Sequence, residues 1–104
     1  MLIFDITNIP MILKAQRYYI PLPYICKKLD YSITPYKNSF KLIKNNSNDV
    51  IILSRNSFTT NSKEKKLRGN LLKYNNENYI SISDIEEIFN LEAIFNFENQ
   101  NIQL

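Results

Sequence analysis

Three groups of residues in this 104-residue chain have the types and spacing to do chemistry. The first is Cys26, followed by Lys27 and Lys28, which could lower its pKa. A nucleophilic thiol needs both a depressed pKa and a base partner, and the chain contains no histidine. The competing account is a buried structural thiol beside or opposite Ile25 on a helix, and that is the expectation. The second group is Asp84, Glu86, Glu87 and Glu92, which could form a carboxylate pair or an oxygen-ligand set for Ca²⁺. Their place at the start of a helix also explains them, as capping residues and partners of the helix dipole. The third is the basic run Lys63, Lys65, Lys66 and Arg68, with Lys73 nearby. It could contact phosphate or another anionic partner, although short basic runs are usually solvated loops. Nucleic-acid binding would add aromatic platforms beside these charges. Tyr18, Tyr24, Tyr31 and Tyr36 stand in the basic half, at spacings that fit strand and helix packing equally well. No glycine-rich phosphate loop or helix-turn-helix signature accompanies them.

Composition narrows the chemistry further. One cysteine excludes an internal disulfide framework, and the absence of histidine removes the commonest neutral-pH acid/base and metal ligand. A structural zinc site would be short of ligands. The chain is therefore expected to be no enzyme and to hold no cofactor or metal. No apolar run approaches the roughly 20 residues that span a bilayer. Phe4-Asp5 interrupts any leader at Met1, so the sequence reads as a soluble protein or a mature fragment of a longer one.

The formal charge of +3 hides a polarity. All 13 Lys/Arg lie in residues 1–76 with four acids, giving +9, whereas residues 77–104 hold six acids and no base, giving −6. Two solvated faces of opposite sign, or an oriented head-to-tail contact between complementary fields, both follow from this.

The elements that must position these groups recur. With an offset of 60, Tyr19 falls on Tyr79, Ile20 on Ile80, Leu22 on Ile82, Ile25 on Ile85 and Leu29 on Phe89. After a two-residue slip, Phe40 falls on Ile102 and Leu42 on Leu104. Each copy reads as a strand, a short helix and a β-hairpin. The first helix is expected at Tyr24 to Leu29, opened by Pro21-Leu22-Pro23 and closed by a left-handed Asp30. The second is expected to begin with a capping box, Ser83 to Glu86, and to end at Asn90. Leu2 to Phe4, Met11 to Leu13, Tyr18 to Ile20, Phe58 to Thr60 and Leu71 to Tyr74 read as strands, with Val50 to Leu53 a central one. Glu92 to Phe95 and Gln100 to Leu104 are read as a closing hairpin. The fold class is therefore α+β: two related strand–helix–β-hairpin halves, with mostly antiparallel sheet around two short helices. Residues 1–104 form one domain, with halves of about 1–44 and 49–104 and a linker of turn formers near 45–48.

The order apolar strand, proline-containing strand, Arg17 with Ile20-Pro21-Leu22, then a short helix ending near Leu29, resembles a known family. It is the copper amine oxidase N-terminal-like domain, a stalk-type module of secreted and surface proteins in Gram-positive bacteria. Tyr79-Ile80-Ser81-Ile82 and Phe89-Asn90 take the matching places in the second copy. The family's glycine after the helix is Asp30 and Asn90 here, and its second arginine is Pro23 and Ser83. The resemblance implies a non-catalytic stalk, without copper-binding histidines or a quinone-precursor tyrosine. It implies an interaction module that presents a surface to a protein or envelope polymer, in the envelope or secreted. The alternative is a small intracellular protein of phage or mobile-element origin. Such a protein would inhibit or modulate a partner, or bind nucleic acid through its basic segment; a leaderless Met1 favours it and a cytoplasmic location.

Overall fold

Ala15 and Gln16 both have positive φ (50° and 63°), and so do Asn75 and Asn76 (50° and 61°). Two successive left-handed residues make the two-residue hairpin turn whose twist matches that of its flanking strands. Asn tolerates this conformation better than Ala or Gln, yet both pairs close the same hairpin. The computed structural model describes residues 2–5, 9–96 and 101–103. In chain order its elements are β1 (Leu2–Asp5), β2 (Met11–Lys14), β3 (Arg17–Pro21), α1 (Leu22–Lys28), β4 (Tyr31–Tyr36), β5 (Ser39–Lys44) and β6 (Val50–Leu53). They continue with β7 (Ser57–Thr60), β8 (Lys63–Lys66), β9 (Leu72–Tyr74), β10 (Glu77–Ser81), α2 (Ile82–Ile88), β11 (Ala93–Asn96) and β12 (Asn101–Gln103). The α+β class holds, and the two halves have corresponding elements.

The sheet register carries the internal repeat further than the sequence could. β3 and β10 run antiparallel, pairing Pro21 with Tyr79, Ile20 with Ile80 and Tyr19 with Ser81. Exchanging each residue for its counterpart 60 positions away returns the same set of pairs. A local two-fold axis therefore passes through the Ile20–Ile80 pair. The flanking strands obey the same rule: Ile12 pairs with Tyr19 as Leu72 pairs with Tyr79, and Leu13 with Tyr18 as Lys73 with Asn78. Both helices lie across β3 and β10. They bury Leu22, Ile25 and Cys26 from α1, and Ile85 and Ile88 from α2. Asp30 (φ 65°) and Asn90 (φ 53°) follow the two helices in the left-handed region, as their shared place in the repeat requires.

Beyond the helices the halves diverge. The first half continues as an antiparallel meander in the order β4-β5-β6-β7-β8, with β6 central. Its inner face presents Leu42 opposite Ile51 and Leu53 opposite Phe58, and these join the helices in one apolar cluster. The last two strands are present, but each lies parallel to an amino-terminal strand: β11 on β1 and β12 on β2. The 45–48 stretch is the turn between β5 and β6 within one sheet. Asn45 ties it to the first helix end, donating its backbone N–H to Asp30 O at 2.9 Å and its amide to Asp30 Oδ1 at 2.7 Å.

One expectation about α2 is overturned. Its N-cap is Ser81, two residues before the expected Ser83, and the helix begins at Ile82. Ser81 is the last residue of β10 and has the extended backbone an N-cap needs, with φ −71° and ψ 147°. Its hydroxyl accepts the Asp84 N–H at 3.1 Å. The first helix likewise begins early, at Leu22, because Pro21 supplies an extended N-cap and Pro23 fits the first turn.

Candidate functional site

The basic run is an edge strand. Lys63–Lys66 forms β8, antiparallel to β7 at one side of the meander, with all four residues exposed. Lysines on an edge discourage pairing with a foreign strand, which accounts for their place without a loop. Successive strand residues face opposite ways, so the sheet splits the cluster. Lys65 stands opposite the buried Phe58, on the side facing α2, and Lys63 shares that side through its pairing with Thr60. Glu64 and Lys66 face away. Arg68 lies beyond the strand, its Nε 3.5 Å from Glu87 Oε2. Lys73 stands apart on β9, at the edge of the other five-stranded sheet. Among the described residues, Lys63, Lys65 and Lys66 form no ion pair.

The link from β8 to β9 is held from below by one carboxylate. Asp84, only 1% exposed, accepts the backbone N–H of Arg68 at 2.7 Å, that of Gly69 at 3.0 Å and the Ser81 hydroxyl at 2.6 Å. Asp84 stands in the first turn of α2, as expected, and the same carboxylate is also a buried anchor between the two large sheets. Nearby, Leu67 N–H donates to Asn56 O and Leu71 N–H to Arg55 O, while Arg55 Nη1 returns a bond to Leu71 O. Arg17, from the first half, donates to Ser83 Oγ at 3.1 Å and so ties β3 to the start of α2.

Gly69 is the one glycine in the chain, and its need is steric. A Cβ there would lie 2.6 Å from the Tyr19 hydroxyl and 3.1 Å from Arg17 Cδ. Tyr19 is 4% exposed, so its ring has little room to yield. Gly69→Ala is expected to cost about 1–3 kcal/mol as an overpacked site. Adding Tyr19→Phe removes the clashing oxygen and should recover much of that loss in a urea-unfolding double-mutant cycle.

Cys26 is buried, at 1% exposure, and burial pushes its thiol up to about 12. A thiol so raised is inert as a nucleophile at neutral pH, in agreement with the structural role expected for it. The folded state keeps its proton where the unfolded thiol, near 9, loses it. Stability is therefore fully present below pH 9 and falls as pH rises toward 12. Tyr19, Tyr31 and Tyr79, each raised mainly by burial, add to the same alkaline loss. Thiol alkylation at pH 8 should proceed only at the rate of unfolding, and a fast reaction of the folded chain would contradict this burial.

Three tyrosines of the basic half, Tyr24, Tyr31 and Tyr36, lie beside cations. Lys28 Nζ lies 5.7 Å from the Tyr24 ring centre and Lys44 Nζ 5.2 Å from that of Tyr31. Tyr36 is flanked by Lys37 at 5.4 Å and Lys41 at 4.7 Å. The carboxylates that could have formed a ligand set are dispersed, since Asp84 is buried under the linking loop and Glu87 faces Arg68. Among the described residues no three His, Cys, Asp or Glu side chains gather as a metal site.

The copper amine oxidase N-terminal domain family matches residues 4–104 of the sequence. The chain belongs to that family. No curated protein and no solved structure matches it. A copper amine oxidase N-terminal domain is a non-catalytic module. This one has no histidine, and its only thiol is buried, so its residues do not fit a copper centre and no step runs through one. No helix among the described residues is long and apolar enough to cross a membrane. The family motif also gains a physical reading. Arg17 is the residue that reaches from one half to the helix of the other, and Pro21 caps α1 with its backbone.

Proposed function

We propose that this domain is a stalk-like interaction module, acting as one unit over residues 1–104. It presents the β8 edge to an anionic protein or envelope polymer. Lys63, Lys65, Lys66 and Arg68 make the contact, and Lys73, apart on the edge of the other sheet, is a further point for the same partner. The observation that carries the reading is the exposed edge strand, whose three lysines form no ion pair among the described residues. The reading sets the domain in the envelope or among secreted proteins.

A second reading places the chain inside the cell, modulating a partner or binding nucleic acid through the same lysines. Tyr36 beside Lys37 and Lys41 offers such a chain a separate platform at the opposite side of the meander, because single-stranded nucleic acid is held by aromatic rings beside cations.

Titration with inorganic polyphosphate and with short single-stranded DNA, over a range of salt, tests both. Binding to the basic edge weakens steeply with salt through counterion release. Reversal of Lys65 and Lys66 to Glu should abolish most of it and lower the salt slope by about 1–2. Unchanged binding by that variant removes the basic edge from the account. Binding of DNA well above polyphosphate would favour the second reading.

A further inference from the structure

We infer that the groove between α2 and the β6–β8 side of the meander binds an uncharged oligosaccharide. This rests on the reading of the chain as an interaction module and names a ligand class for a second part of its surface. The groove has a volume of about 470 Å³ and is open to solvent. Its apolar lining includes Tyr31 and Phe89, whose rings meet edge to face at 5.0 Å, with Ile51, Phe58 and Ile88 beneath them. Its polar lining is Asp49, Thr60, Asn61, Lys65, Glu87 and Asn90. Among the described residues, the side chains of Asp49, Asn61, Lys65 and Asn90 have no hydrogen-bond or ion-pair partner.

Three features select the ligand class. Charge comes first: Asp49 and Glu87 offset Lys65, and Arg68 already engages Glu87. A polyanion would meet two carboxylates here and a cation would meet an ammonium, so a neutral ligand fits best. The second is the donor and acceptor set. A carboxylate accepts from hydroxyls, an ammonium donates to them, and the two side-chain amides do both. A sugar ring, with hydroxyls at its edge and C–H groups on its faces, matches a polar rim beside Tyr31 and Phe89. The third is the wall. Asp49 comes from the approach to β6, Asn61 (φ 50°) from the β7–β8 turn and Asn90 (φ 53°) from the end of α2. These turns offer side chains rather than the free strand edge on which an extended peptide would pair.

The test is a ¹⁵N–¹H titration of the whole chain with cello-, chito- and malto-oligosaccharides. At least one should shift the amides of Asp49, Asn61, Lys65 and Asn90 with affinity near the millimolar range, about 4 kcal/mol, and do so equally at low and high salt. Asn61→Gly and Asn90→Gly keep the left-handed backbone while removing the amides, and each should weaken binding about tenfold. The inference is overturned if no sugar shifts these amides at about 10 mM, or if both glycine variants bind as tightly as the parent. Polyphosphate titrated into a second, sugar-free sample and read at Lys63, Lys66 and Arg68 reports on the basic edge separately. Salt-sensitive polyphosphate binding without sugar binding would sink the groove proposal alone.

Discussion

Asp84→Ala is expected to destabilise the domain by about 4 kcal/mol. Three hydrogen bonds converge on that carboxylate, and its removal leaves the Arg68 and Gly69 N–H groups without their acceptor. An unsatisfied buried donor costs about 1–3 kcal/mol, and bonds to a charged acceptor lie at the strong end of the range. Because the side chain is 1% exposed, water cannot take its place without opening the junction between the sheets. Asp84→Asn retains one carbonyl oxygen and should cost about half as much. Hydrogen exchange supplies a second readout, with the Arg68 and Gly69 amides losing protection before those of β3 and β10. A loss under about 1 kcal/mol for the alanine variant would show that the loop is held by other contacts. Ser81→Ala removes both the cap and the hydroxyl bond to Asp84, and belongs to the same network.

Ile20→Ala and Ile80→Ala form the second large effect. Both side chains have 0% exposure, and they face each other where the local two-fold axis crosses the sheet. Truncating a buried isoleucine costs about 2–5 kcal/mol, according to how far the site collapses. Since each helix lies across both strands, the two variants should lose stability to within about 0.5 kcal/mol of one another. Urea unfolding of both, with unchanged m-values, checks this. A difference above about 1.5 kcal/mol would mean that the symmetry of register does not extend to packing.

Much of this architecture was legible because burial leaves a local trace. Ile20, Leu22, Ile25 and their counterparts 60 residues on repeat at strand and helix spacing, which any single packed unit needs. Asp30 and Asn90 were legible for a different reason, as turn-tolerant residues placed just after each helix. The cap was not. Ser81 to Asp84 and Ser83 to Glu86 both fit a capping pattern, and the choice is made by the pairing of Ile80 with Ile20, which leaves Ser81 as the last strand residue. Nor could charge alone tell an exposed edge strand from a loop at Lys63–Lys66, since neither has an apolar face. The seating of β11 and β12 on β1 and β2 is non-local, and nothing within residues 92–104 specifies it. Gly69 gave a signal by being the lone glycine, but Tyr19, the residue that demands it, stands 50 positions earlier. The groove was invisible for the same reason: Asp49, Asn61 and Asn90 read separately as turn formers, and only the fold brings them to one place.

The most direct test of the interaction-module account is an affinity capture with the tagged domain and its Lys65→Glu/Lys66→Glu variant. Each is run on cytosolic and envelope fractions of the source cell. The account predicts a near-stoichiometric anionic partner, taken by the parent from the envelope fraction and released by salt, and absent from the variant. Equal recovery by parent and variant, or recovery unaffected by salt, would contradict it.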